Sequence, residues 1–515
     1  MTKPLWITIL FLCLFLVLFS FNTINLPTAD IGRHIVNGKI LLHSSEYGVS
    51  KSSILYTNFF SYTNTDFPFI NHHWLSGILV YLVFQISGFS GLSIIYFLLI
   101  LFALVFSILT VREQVKWNDI LLVGLFLLPL IAGRVEVRPE GLSYFFLSLF
   151  LYILFKYSKD ELSPKFLWLL PSLELFWVNT HIYFIFGPFL IGMFLLQSII
   201  FREKEKIKKL AIILATSSLV LLINPYGFSG AVYPFTIFQN YGYRIVENQS
   251  INFLEKLSFA NPDFLWYKIA LFFVITSSIF VFIKKRKDFP LALFGISMTF
   301  AVLAYLGIRH IPAFALLSLP LMAYNLNFTR NYFDLKIKDQ GKITLYCLAL
   351  VLVLGASLFH FSNRLSWNRN FSLGVDQIDF GPIAFIQKTG IHGPFFNNYD
   401  IGGFMIFYLF PKEKVFVDNR PEAYPKEFFD SVYIPMQEND IVWQKELIKE
   451  NFNAIFFYRL DYTPWGQKFL VTRITDPAWA PVFVDDKTII FLRRNTENKN
   501  VIEKFELPKE IFRVQ

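Results

Sequence analysis

Long apolar runs recur along the chain, separated by short polar stretches, and this pattern predicts membrane-spanning helices rather than amphipathic ones. A spanning helix needs about 20 mostly apolar residues. Runs that reach or approach this length lie around 5–22, 91–111, 118–133, 141–155, 166–183, 184–201, 210–224, 269–283, 290–307, 311–326 and 343–360, about 11 in all. The first follows Lys3; it is long, and no small-residue cleavage site precedes the polar 22–27 stretch, so an uncleaved helix is expected.

Segment 74–88 is shorter, and loop charge decides its placement. If it does not cross, the loops 112–118, 156–165, 202–209, 284–288 and 329–342 share the side of Lys3 and hold 18 Lys and Arg. The opposite loops, 23–90, 134–140, 225–268 and 308–310, hold nine over a greater length. Counting 74–88 as a span would reverse the positive-inside rule. It is therefore expected to lie in the membrane interface, with the amino terminus cytoplasmic and the long loops outside.

After His360 the pattern changes. Residues 361–515 hold 19 basic and 20 acidic residues, with short strand-like runs at Lys414–Asp418, Ala454–Tyr458 and Pro481–Leu492. The expected architecture is a polytopic α-helical membrane domain, 1–360, whose first outer loop is 23–90. An extracytoplasmic α/β domain, 361–515, follows it. Composition agrees: 54% of the 515 residues are hydrophobic and 17% charged, against about 25% charged in soluble proteins. Cys13 and Cys347 both lie in apolar runs, which removes a disulfide framework or thiolate metal site. The net charge of +9 fits basic cytoplasmic loops better than nucleic-acid binding.

Candidate chemistry gathers in the outer loops. Asp30 and His34 lie i, i+4, so on a helix they share a face, with Arg33 between them. Asp30 is either a helix cap or a carboxylate held at the membrane surface. His72 and His73 offer phosphate or metal contacts, although adjacent side chains point apart, and Trp74 is an interfacial anchor. In the second loop, Arg134 and Arg138 form either a phosphate clamp or a pair of snorkelling anchors, and Glu140 suits the first turn of the next helix. Glu174 is a carboxylate inside an apolar run, which makes it a functional suspect by default. Trp177-Val-Asn179-Thr-His181, Asn224-Pro-Tyr-Gly227 and Arg309-His310 also fall at outer helix ends. No P-loop, Gly-x-Gly-x-x-Gly, Gly-x-Ser-x-Gly or zinc spacing is present, so nucleotide-dependent soluble chemistry is disfavoured.

The order of a first span, a long outer loop opening on an acid, an interfacial helix and a short charged second loop resembles the GT-C glycosyltransferase superfamily. That superfamily includes protein O-mannosyltransferases and the lipid A aminoarabinose transferase. Within it, the chain is most similar to a group of bacterial membrane proteins. The stretches that carry this likeness are Asp30-x-x-x-His34-x-x-x-Gly38, Asn71-His-x-Trp74-Leu-Ser, Trp177-Val-Asn-x-His181, Asn224-Pro-Tyr-Gly227 and Phe416-Val-Asp418-x-Arg420.

The resemblance implies a membrane enzyme of the cytoplasmic (inner) membrane. It would move a hexosyl or pentosyl unit from a polyprenyl-phosphate sugar to a glycan, lipid or protein acceptor of the cell envelope. Asp30 matches the catalytic acid. Arg134, Arg138, Arg309 and His310 would hold the donor phosphate. His34, His73, Glu140, Asn179, His181, Asp418 and Arg420 would contact substrate. The usual two-acid pair of the first loop is absent, so a divalent cation cofactor stays open. The alternative is a transporter or flippase of lipid-linked sugar, for which Glu174 speaks and the missing internal repeat speaks against.

Overall fold

The computed structural model describes Phe15 and residues 23–134, 136–333 and 373–512. Apart from Phe15, the spans expected at 5–22 and 343–360 lie outside these residues, as do both cysteines. The contacts divide the chain into two compact units. One takes in Ser93–Ala231 and 244–333 with Phe15; the other takes in Thr23–Leu92, Val232–Tyr243 and 374–512.

The first unit is helical. Among the described residues of the whole chain, five helices are long and apolar enough to cross a membrane: Trp74–Thr110, Glu140–Ser158, Ile182–Ile200, Asp263–Lys284 and Ile308–Tyr332. Trp117–Ile131 and Leu291–Leu306 are apolar but shorter. Helix Ile311–Tyr332 forms the unit's axis. Its small residues, Ala313, Ala315, Ser318 and Ala323, are fully buried, as expected where helix backbones approach closely in a bilayer. It packs against Trp117–Ile131, Leu291–Leu306 and Asp263–Lys284. The last of these is peripheral and turns Leu265, Phe272 and Ile283 outward. Apolar side chains on an outer surface are stable there only against lipid or another protein.

The expected span at 166–183 is divided. A 3-10 turn, Pro164–Trp168, leads into helix Leu169–Trp177 of only nine residues. That helix is roughly 14 Å long, about half a hydrocarbon core. It stops where the Asn179 side chain donates to the carbonyls of Leu175 and Ile223, at 2.9 and 3.0 Å. Helix Trp74–Thr110 is interrupted as well. Gly88 adopts φ 60°, ψ −157°, a conformation open almost only to glycine, so 74–87 and 89–110 are separate helical segments.

The second unit is mixed α/β. Its sheet runs β1 (Phe395–Asn397), β2 (Ala454–Tyr458), β3 (Trp479–Val484) and β4 (Thr488–Arg493), in the order β1-β2-β4-β3. β1 is parallel to β2, while β4 runs antiparallel to both β2 and β3. The expected strand Pro481–Leu492 is thus the β3–β4 hairpin. Lys414–Asp418 is not a strand of this sheet. It lies beside the first outer loop, where Val415 N–H donates to Phe60 O and Tyr62 N–H to Val415 O, both at 3.1 Å. The first outer loop therefore folds with the tail. Its helix Ile31–Leu42 packs on helix Gly402–Leu409, and a Cβ on Gly32 would stand 2.9 Å from that of Phe407.

Candidate active site

The charges at one end of the helical unit form one network. Arg134 follows helix Trp117–Ile131 by three residues, and Glu140 opens helix Glu140–Ser158. The Glu140 carboxylate accepts from Arg134 Nη2 at 3.1 Å and from Arg309 Nη2 at 2.7 Å. Arg309 sits in the 3-10 turn Ile308–His310 and also donates to Asn248 Oδ1 at 2.9 Å. Arg138 donates to Glu247 at 2.9 and 3.1 Å, and Arg134 pairs with the same carboxylate.

Three guanidinium groups thus meet two buried or nearly buried carboxylates, with the more exposed Glu136 on Arg138. Burial alone would raise the Glu247 carboxyl. Arg134, then Arg138 and Arg309, outweigh it and hold the group well below the usual carboxylate range. The same exchange keeps Arg134 charged although it is largely buried.

An aromatic–histidine chain adjoins the network. Tyr183 OH meets His310 Nδ1 at 2.9 Å, and the two rings stack with centroids 5.2 Å apart. His181 packs against Tyr183 at 4.7 Å and shares a 2.7 Å hydrogen bond with Ser143 Oγ, which also accepts from Trp177 Nε1 at 2.8 Å. The structure therefore brings Arg134, Arg138, Glu140, Arg309, His310 and His181 together. Asn179 fastens the end of its short helix. Glu174 is fully buried against Gly187, where a Cβ would stand 1.8 Å from its Oε2.

The second unit gathers the first-loop residues. Asp30 is the N-cap of helix Ile31–Leu42 and pairs with Arg33 at 3.7 Å. Arg33 Nε donates to Asn419 Oδ1 at 3.2 Å. His34 meets His73 edge to face at 5.2 Å, and His73 lies 3.9 Å from the His72 ring. Asn37 and Asn71 hydrogen-bond each other beside them.

Asp418 and Arg420 face one another in a buried two-pronged pair, Nε to Oδ1 at 2.7 Å and Nη2 to Oδ2 at 2.6 Å. Arg420 also donates to Asn58 Oδ1 at 2.8 Å and lies over the Phe69 ring at 4.7 Å. These two residues clamp the tail to the first outer loop.

Sequence reasoning named neither Glu247 nor Asp461, and read Asp400 only as part of the turn at 396–403. The Asp400 carboxyl is pushed up to about 7, first by burial, then by the charges of Asp461 and Asp30. Asp461 accepts from Asn398 Nδ2 at 3.1 Å and from Thr463 Oγ1 at 2.7 Å. Tyr399, next to Asp400, stacks on Tyr243 at 4.2 Å. One signal for Glu247 was available. Three arginines facing Glu140 and the exposed Glu136 call for another buried counter-charge. Nothing local marks Asp461, which reaches Asp400 only through the fold. Among the described residues, no group of three or more His, Cys, Asp or Glu side chains is arranged to hold a metal ion.

No protein family and no curated protein matches the sequence. Solved structures do. The chain is similar to the archaeal oligosaccharyltransferase AglB from Archaeoglobus fulgidus in complex with an inhibitory peptide and a dolichol-phosphate, with TM-score 0.60 and 11% identity. The likeness covers 96% of this chain and 77% of that one. The apo form of the Archaeoglobus fulgidus enzyme gives 0.59 at 12% identity, covering 96% and 75%. The form tethered to an acceptor peptide with the NVT sequon gives 0.56 at 12%, with the same coverage. At this identity the likeness shows a shared overall fold.

Proposed function

We propose that the chain transfers a sugar from a polyprenyl-phosphate donor to a cell-envelope acceptor at the outer face of the cytoplasmic membrane. The observation that carries this reading is the GT-C fold, shared over 96% of the chain with an oligosaccharyltransferase whose structure holds a dolichol-phosphate. In the reaction, the bond between the anomeric carbon and the phosphate oxygen breaks. The acceptor oxygen bonds that carbon and gives up its proton, and the lipid phosphate leaves with the negative charge.

The two halves of that chemistry fall to different residues. The guanidinium groups of Arg134, Arg138 and Arg309, preset by Glu140 and Glu247, supply positive charge where the leaving phosphate develops its negative charge. His310, fixed by Tyr183, adds a further donor. Asp30 accepts the acceptor's proton, and Arg33 holds its carboxylate in place. His34 and His73, whose rings meet, would contact substrate in the one unit, and Asn179 and His181 would do so in the other. If a divalent cation takes part, Asp30 is the residue of this group suited to hold it, because hard cations take carboxylate oxygens.

Purified protein incubated with a panel of polyprenyl-phosphate sugars should release lipid phosphate with at least one donor. Asp30→Asn keeps the shape, removes the base and should cut turnover by about 10²–10⁴. No release from any donor by folded protein, or near-normal turnover in the variant, would overturn the assignment.

A further inference from the structure

The other end of the helical unit holds a cavity that sugar transfer does not use. It measures about 280 Å³ and is lined by Phe155, Ser158 and Lys159, by Gln197, Phe201 and Glu203, and by residues 287–290. Ser158 ends the helix that Glu140 begins. At 1.5 Å per residue the cavity therefore lies roughly 28 Å along the helix from the arginine network, which is the thickness of a hydrocarbon core.

The connecting segments at this end are strongly basic. Segments 156–165, 202–209 and 284–288 carry 12 Lys and Arg against five Asp and Glu. Four of the five carboxylates are already engaged. Glu203 pairs with Lys206 at 3.2 Å, Asp288 with Lys285 at 3.4 Å, Asp160 with Lys206 at 3.0 Å and Glu161 with Lys156 at 2.6 Å.

Lys159 and Lys287 line the cavity and have no carboxylate partner among the described residues. Lys159 Nζ lies 5.7 Å above the Phe155 ring. Burial lowers its affinity for the proton; Asp288 and, more weakly, Glu161 oppose this, and Lys285 and Lys206 add to it. An anion in the cavity would relieve that repulsion. Helix Leu291–Leu306 also points its amino end here, with Ala292 N–H donating to the cavity residue Gln197 at 2.9 Å. An amino end carries partial positive charge.

The remaining walls, Phe155, Phe201, Phe289 and Pro290, are apolar. Ile199, Ile200 and Phe201 continue outward as an exposed apolar ridge. A free phosphate has no use for such a wall, whereas an acyl chain does.

We infer that this cavity binds the phosphodiester headgroup of an anionic membrane lipid, with Lys159 and Lys287 as its cationic partners and the acyl chains along the Ile199–Phe201 ridge. Basic pockets between spanning helices on the cytoplasmic side suit this ligand, and the loop charges put this end on that side. Each lysine contributes a factor of about five to the binding of an anionic headgroup, and the two together roughly thirty.

The test is native mass spectrometry of the full chain purified with phosphatidylglycerol and phosphatidylcholine. The wild type should retain phosphatidylglycerol in preference. The double variant Lys159→Gln, Lys287→Gln should bind it roughly thirty-fold more weakly. Lys208→Gln, Lys209→Gln removes the same charge from residues outside the cavity and should bind as the wild type does. Equal loss in both double variants, no loss in either, or displacement of the lipid by millimolar glycerol 3-phosphate would overturn the proposal. The readout is independent of sugar transfer, so each reading stands or falls alone.

Discussion

At the residue scale, the arginines are held by carboxylates before any donor arrives. Glu247 is the central case, because it bridges Arg134 and Arg138. Glu247→Gln leaves two guanidinium groups short of a counter-charge, and breaking a buried pair from one side is costly. Partial exposure moderates this, so thermal unfolding should show a loss of about 2 kcal/mol. Added pyrophosphate should restore stability more in the variant than in the wild type, since it supplies the missing negative charge. Equal stabilisation of both would mean that Glu247 and a phosphate do not share the arginines.

Asp400 gives a pH test. Its folded value of about 7 lies above the ordinary 3.8. The stability it contributes is complete below about pH 4 and is lost as pH rises through 7. Asp400→Asn should therefore unfold at a higher temperature than the wild type at pH 8, and the gap should shrink toward pH 5. Parallel pH profiles from 5 to 8 would refute the assignment. The arginines were legible in the sequence because charges between apolar runs are conspicuous. Glu247 and Asp400 were not, since a lone acid in an ordinary loop gains meaning only from what folds against it.

At the element scale, apolar length located the helices but not where they stop. The break at Gly88 fell where loop charge had already separated 74–88 from the following span. The end of helix Leu169–Trp177 depends on a side-chain bond from Asn179 to the distant Ile223, which no local pattern announces. Lys414–Asp418 has a strand's composition, yet it forms only an isolated bridge with Ser61. Composition states that a segment suits an extended backbone, not which neighbour it finds.

Gly88 is the element with the clearest consequence. A Cβ there would meet nothing within 4 Å, so any cost of Gly88→Ala is conformational. We expect a loss of about 1–3 kcal/mol with the fold otherwise kept, measured as a lowered unfolding temperature. Gly38→Ala is the contrasting case. Its Cβ would stand 2.0 Å from the Gly77 carbonyl oxygen, forcing helix Ile31–Leu42 away from the Trp74 segment. It should be the more damaging of the two; the reverse order would contradict this packing.

At the scale of the whole molecule, the composition of the second unit constrains how the chain threads the membrane. That unit is assembled from Thr23–Leu92, Val232–Tyr243 and 374–512. Leu26 N–H bonds Asp379, Arg33 bonds Asn419 and Tyr243 stacks on Tyr399. Segments joined by such bonds lie on one side of a bilayer, so the chain crosses an even number of times between residues 92 and 232, and again between 243 and 374. The apolar runs read from the sequence satisfy both conditions, with six in the first interval and four in the second. Treating 74–88 as an extra crossing would instead place it inside the first segment and split the unit. The positive-inside rule then gives the direction to test. Reporters fused after residues 160, 206 and 286 should read cytoplasmic, and those after 245 and 500 should read external. A cytoplasmic reading at 500 with an external one at 245 would break the parity that the hydrogen bonds demand. A full inversion of all five would keep the fold but put Asp30 on the cytoplasmic side, away from an acceptor in the cell envelope, and would overturn the proposed reaction.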